Sequence, residues 1–276
     1  MVKEQVLDYY FVVVAVNILS FFSCIFIIAL YVFAKSLRNY AFKLVLCVTI
    51  NDLIRIICSL FPIFYYDYKN LCTILGFIFI FTFLGSILWT LVISLTLYQV
   101  IIQHKENFVQ FYLLWMVSIT IYSFILCFIP LLTNSYGLVL IVCTLKEDYL
   151  GSIYKLSLFY GTAWVAIAVI IIIYSKINSE SKKQESYELS LIRIKLFPMI
   201  LIFCILPMTI LRILQVFNIY LVELQYIADV TWALHGFFNS IAYGMSPAVL
   251  QYIKLSICKR KIEIENDSFE QLATFT

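Results

Sequence analysis

Residues 72–102 read CTILGFIFIFTFLGSILWTLVISLTLYQVII, thirty-one positions without one Asp, Glu, Lys, Arg or His. As a helix rising 1.5 Å per residue this run is about 46 Å long, more than the roughly 30 Å hydrocarbon core of a bilayer. It is read as a membrane-spanning helix that tilts or projects beyond the lipid. The rest of the chain shares its character. The 276 residues are 63% apolar and 13% charged, against about 25% charged in soluble domains, which rules out a water-soluble enzyme. The net charge of +3 is dispersed, so nucleic acid is not a partner.

Six further apolar stretches flank this run: Tyr9 to Ala34, Ala41 to Phe64, Phe111 to Thr133, Leu156 to Tyr174, Leu196 to Phe217 and Tyr226 to Leu250. Each suits one helical crossing, and alternating ten-residue segments of a barrel are missing. The fold expected is an all-α membrane protein, a seven-transmembrane helix bundle. Residues 1–8 form a short N-terminal segment, 9–250 the helical domain, and 251–276 a juxtamembrane amphipathic helix with a short tail. Leu138 to Val142 is apolar but too short to cross, and reads as part of a structured loop. No cleavable signal pattern precedes the first span, which is expected to target the chain itself.

Basic residues set the orientation. With the N-terminus outside, thirteen of the nineteen Lys and Arg fall in cytoplasmic segments and four (Lys3, Lys69, Lys146, Lys155) outside. That asymmetry follows the positive-inside rule and leaves the tail in the cytoplasm. Five of eight cysteines lie within spans, as small buried hydrophobes. Cys72 starts the third span and Cys143 lies in the long loop after the fourth, both on the oxidising side. A disulfide between them would pin that loop over the mouth of the bundle. Cys258, beside Lys259 to Lys261, is either S-palmitoylated or a free juxtamembrane thiol.

Ionisable groups inside the bilayer cost several kcal/mol and are candidate functional residues. Asp52 and Arg55 lie three apart in span two and can pair. Ser86, Thr90 and Ser94 of span three, and His235, Asn239 and Tyr243 of span seven, run near that depth. A buried polar cluster is expected, acting either as structural glue or as a switch that repacks on activation. Arg212 in span six and Asp229 in span seven sit nearer the outer surface, to pair with each other or to meet a ligand. Trp89, Trp164, Trp232 and His235 are candidate pocket residues with them. Pro198 and Pro207 break span six twice, as a static kink or as a hinge.

Several chemistries are excluded. Residues 226–250 lack the lysine that a retinal Schiff base requires. With two histidines in the chain, an intramembrane zinc centre is not expected, nor a cofactor of any kind. There is no Gly-rich phosphate loop, His-Glu-x-x-His or Gly-x-Ser-x-Gly. An enzyme is thus not expected, and a receptor passing a signal inward is.

Particular residues then carry a resemblance. Span two reads Lys43 to Asn51-Asp52-Leu-Ile; span three opens Cys72-Thr-Ile-Leu-Gly-Phe and continues to Leu88-Trp89-Thr90. Phe159-Tyr160-Gly161 and Trp164 follow Cys143; span six holds Pro198, Cys204, Pro207 and Leu211-Arg212-Ile213; span seven reads Leu234-His-Gly-Phe-Phe-Asn239 to Tyr243-Gly244. Together they resemble the cyclic-AMP-receptor-like (class E) G-protein-coupled receptors of slime moulds, ciliates and other protists, over about residues 9–255. Asp-Arg-Tyr is replaced by Leu97-Tyr98-Gln99, and Asn-Pro-x-x-Tyr is absent, which disfavours rhodopsin-like membership. The resemblance implies a cell-membrane receptor for a small extracellular ligand, with a heterotrimeric G protein as partner. The cytoplasmic contacts expected for it are Lys105, Lys182, Lys183, Arg193 and Lys195. The outer segments carry four Lys against seven acids (Glu4, Asp8, Asp67, Glu147, Asp148, Glu223, Asp229), so a neutral or cationic ligand is expected and cyclic AMP is disfavoured. The alternative is a small-solute or ion transporter or channel in which Asp52, Arg55 and His235 line the path.

Overall fold

In lipid every backbone N–H and C=O must find a partner within the chain, and a sequence this apolar meets that demand with helices. A computed structural model of the protein describes residues 2–60, 69–103, 109–139, 142–181, 196–217, 219, 221–246 and 249–255. Its helices are α1 (Val2–Phe33), α2 (Tyr40–Leu60), α3 (Lys69–Ile101), α4 (Val109–Leu132), α5 (Tyr149–Tyr154), α6 (Gly161–Ser181), α7 (Leu196–Val216), α8 (Val222–Ala233) and α9 (His235–Gly244). A π-helical segment, Lys155–Tyr160, joins α5 to α6 in one rod. Leu234 joins α8 to α9 in another. Seven rods result among the described residues. Five contain a stretch long and apolar enough to cross a membrane. The other two are α2, with Asp52 and Arg55 at mid-length, and the α8–α9 rod, whose pieces are 12 and 10 residues long.

The fifth rod starts at Tyr149, earlier than the expected Leu156, because the Asp148 carboxylate accepts from Gly151 N at 2.7 Å and caps a new N-terminus. Lys155, expected in a loop, therefore lies inside the helix. Span six is interrupted once rather than twice. Pro207 lies in the interior of α7, where it removes the bond to the Phe203 carbonyl, while Pro198 sits in the first turn, which tolerates proline. Between α8 and α9, Ser20 Oγ of α1 donates to the Ala233 carbonyl at 2.6 Å, supplying the partner where the ladder is interrupted.

The expected structured loop contains an antiparallel hairpin, β1 (Tyr136–Val139) and β2 (Val142–Leu145), with Leu138 opposite Cys143. Asn134, at φ 51°, turns the chain out of α4 in the left-handed region that Asn tolerates. Three contacts hold the hairpin on the bundle. Cys143 is disulfide-bonded to Cys72 of α3; the Tyr136 hydroxyl donates to the Cys127 carbonyl of α4 at 2.9 Å; and Gly76 leaves only 3.1 Å between a built Cβ and the Tyr136 ring. Burial raises the Tyr136 phenol above its ordinary pKa, which keeps this hydroxyl a donor.

Two apolar clusters fill the bundle. One, at the hairpin end, packs α3, α6 and α7 with Tyr136 and Leu145 of the hairpin. The second, towards the opposite end, joins α1, α2, α3, α4 and α9 around Phe42, Val48 and Trp89. Helices α2 and α3 touch closely at Gly85. A Cβ there would come 2.3 Å from Asn51 Oδ1, whose amide is itself anchored on the Cys47 carbonyl.

Candidate functional site

Below the hairpin lies a cavity of about 110 Å³. The π-helical segment shifts the helical register and brings Lys155, Phe159 and Tyr160 onto its wall. Met208 and Arg212 reach it from α7, Asp229 and Trp232 from α8, Tyr9 and Asn17 from α1, and Arg55 from α2, with Val139 and Val142 of the hairpin above. The wall thus carries three cations and one carboxylate among its described residues.

The carboxylate is already engaged. Asp229 accepts from the Tyr9 hydroxyl and from Gln225 Nε2, the latter at 2.5 Å. Arg212 does not pair with it, as one expectation had it, but with Glu147 at 3.2 Å and with Gln215 at 2.5 Å. Lys155 Nζ stands 3.8 Å from the same Glu147 oxygen. Five buried nitrogens on this wall lack any hydrogen-bond partner: Arg55 Nε and Nη2, Lys155 Nζ, Arg212 Nε and Trp232 Nε1. All five are donors. An unmet buried donor costs about 1–3 kcal/mol, so the wall is short of acceptors. The expectation of a neutral or cationic ligand came from the whole outer face; the cavity selects different groups from that face, and its lining has the opposite sign.

Trp232 connects this cavity to the expected polar cluster. Its ring lies 4.7 Å from Phe83, stacks on His235 at 5.0 Å, and carries the Arg55 guanidinium at 5.2 Å over its face. Beneath it, Asp52 Oδ1 is 3.2 Å from His235 Nδ1, 3.1 Å from Ser86 Oγ and 3.8 Å from Arg55 Nε. Asn239 Nδ2 donates to Asp52 Oδ2 at 3.3 Å. Asp52 and His235 are fully buried. Gly236 lets α9 approach: a Cβ there would stand 3.5 Å from Asp52 Cβ. The transport alternative puts Asp52, Arg55 and His235 on a pathway; Asp52 and His235 are enclosed and face each other, and Arg55 is the one of the three that lines the cavity.

The candidate residues divide clearly. Arg212, Asp229 and Trp232 line the cavity, Asp52, His235 and Asn239 meet below it, and Arg55 reaches both. His235 belongs to the cluster and not to the cavity wall. Trp89 is buried in the other apolar cluster, 5.9 Å from the Tyr112 ring, and does not line this cavity. Trp164 also leaves the pocket; its indole donates to Thr209 Oγ1 at 3.0 Å and ties α6 to α7. Ser94 donates to the Thr90 carbonyl, two turns from Ser86, and Tyr243 lies against the Phe42 ring at 4.4 Å; neither enters the cluster. Lys105, Lys182, Lys183, Arg193, Lys195 and Cys258 lie outside the described residues. Sequence reasoning missed Tyr9, Glu147, Lys155 and Tyr160 as site residues. Trp164→Phe is expected to cost about 1 kcal/mol of stability and to leave ligand response unchanged. Thermal unfolding together with a dose–response curve tests this, and a displaced dose–response curve would return Trp164 to the pocket.

The arrangement is that of a seven-helix bundle, and it superposes on squid rhodopsin with a TM-score of 0.74 over 91% of this chain and 86% of that one, at 17% identity. At that identity the likeness shows the fold. Residues 1–260 match the slime mold cyclic AMP receptor family, and the chain belongs to it. It is similar to Cyclic AMP receptor 4 of Dictyostelium discoideum, 22% identical over 259 residues, covering 85% of this chain and 56% of that protein. It is also similar to G-protein coupled receptor 1 of Arabidopsis thaliana, 27% identical over 150 residues, 54% of this chain and 45% of that protein. The chain spans about half the length of these curated relatives. The family is one of multi-pass membrane receptors and not of enzymes, in agreement with the resemblance read from the spans.

Proposed function

We propose that the chain is a G-protein-coupled receptor with its N-terminus outside, whose small extracellular ligand occupies the cavity under the hairpin. The disulfide supports this orientation, because such bonds persist on the oxidising side. The observation that carries the ligand reading is the set of five unpartnered donors on one cavity wall. A ligand bearing an anionic, acceptor-rich group satisfies them, with Phe79, Phe83, Phe159 and Tyr160 lining the same cavity for an apolar or aromatic part. Cyclic AMP is the first molecule to try, since one relative is named as its receptor.

Ligand contact with Trp232 and Arg55 reaches Asp52 directly, because those side chains touch His235 and Asp52. The Asp52–His235–Asn239–Ser86 cluster then repacks α2, α3 and α9, with Pro207 as the hinge of α7. The cytoplasmic segments bearing Lys105, Lys182, Lys183, Arg193 and Lys195 engage a heterotrimeric G protein. The test is nucleotide exchange on a purified heterotrimer by the full-length receptor in nanodiscs, with cyclic AMP and a panel of anionic metabolites. Arg212→Gln removes a charged donor worth about 1.5–3 kcal/mol, so the half-maximal agonist concentration is expected to rise about 10- to 100-fold. An unshifted concentration would place the ligand elsewhere.

A further inference from the structure

Glu147 lies on the bend between β2 and α5, with about a third of its side chain exposed (37%), whereas the side chains of Lys155 and Arg212 are 6% and 10% exposed. We propose that Glu147 is a tethered anion that occupies the Lys155–Arg212 pair in the empty receptor, and that a ligand's anionic group takes its place. The inference rests on the cavity being the ligand site and adds what the ligand must displace.

The asymmetry of burial gives the direction of exchange. Two cations this enclosed need a negative partner, and neither can leave, since one is set in a π-helical turn and the other in α7. The Glu147 carboxylate can rotate into water at small cost. Its neighbours are committed: Asp148 caps α5 through Gly151 N, and Lys146 Nζ donates to the Asn134 carbonyl at 2.6 Å. The backbone is thereby held on both sides and only the Glu147 side chain is free to exchange. Asp229, the other nearby carboxylate, is bound by Tyr9 and Gln225 and does not compete for this role. Glu147 therefore sets the threshold that an incoming anion must exceed.

Inorganic phosphate serves as the probe, with the full-length receptor in phosphatidylcholine nanodiscs and chloride buffer of equal ionic strength as control. Glu147→Gln is expected to lower Tm by on the order of 3 °C in chloride, and phosphate is expected to restore it. The wild type should need at least ~10-fold more phosphate for a comparable rise, the ratio that 1.4 kcal/mol of lost competition gives. Glu147→Asp, with a shorter reach, should respond between the two, and Glu147→Gln combined with Arg212→Gln should not respond. Equal phosphate responses in wild type and Glu147→Gln, or a Glu147→Gln deficit that phosphate leaves unchanged, would overturn the proposal. This readout needs no agonist and no G protein, so its failure is distinct from failure of the exchange assay.

Discussion

Asp52→Ala is expected to destabilise the receptor by about 3–5 kcal/mol, because it strands a buried charge. Arg55 is 1% exposed, its Nε lies 3.8 Å from Asp52, and two of its nitrogens already lack hydrogen-bond partners. Removing the carboxylate leaves the guanidinium with the Trp232 face as its remaining support. The double variant Asp52→Ala/Arg55→Leu should recover most of the loss, since an apolar replacement of both partners carries no stranded charge. Thermal unfolding of the four members of the cycle in nanodiscs measures the coupling. A single-variant cost under about 1 kcal/mol, or a double variant as damaged as the sum of the singles, would show that the pair does not act as described. The milder Asp52→Asn keeps side-chain volume and some hydrogen bonding. It is expected to retain agonist binding and lose agonist-driven exchange, which separates a switch from plain structural glue.

The second large effect is expected at the disulfide. Cys72→Ser should cost about 2–5 kcal/mol, since the bond closes a loop between residues 71 apart in sequence. The loss extends to function. Val139 and Val142 of the hairpin cover the cavity, and without the bond the hairpin keeps the Tyr136 hydroxyl on Cys127, its packing on Gly76 and the burial of Leu145 in the bundle. Agonist binding should weaken along with Tm, and the same result should follow from Cys143→Ser. An unchanged dose–response curve in a destabilised variant would mean that the hairpin covers the site without shaping it.

Much of this architecture was readable from the residues, and the failures have separate physical causes. Hydropathy marks how deep a residue lies, and depth alone located Arg212, Asp229 and Trp232 near one end and Asp52, His235 and Asn239 below them. Depth does not specify the face of the helix. Trp89 and Trp164 lie in the right spans and point to other partners, Tyr112 and Thr209. Ser94 and Tyr243 lie on the right helices but too far along them. Lys155 escaped for a different reason: its Asp148 cap starts the helix early and a π-helical segment turns it inward, and a regular 3.6-residue period predicts neither. The expected ligand charge came from a sum over the whole outer face, whereas burial selects the few groups that line the cavity.

Occupancy of the cavity under the hairpin is proposed to drive a G protein at the other end of the bundle. The most direct test is guanine-nucleotide exchange on a purified heterotrimer by the full-length receptor in nanodiscs, run with wild type, Arg212→Gln and Asp52→Asn. Exchange is expected to be stimulated by an anionic small molecule, shifted to higher concentration by Arg212→Gln and abolished by Asp52→Asn despite retained binding. Substrate-dependent flux or current in proteoliposomes, with no exchange on any G protein, would contradict it.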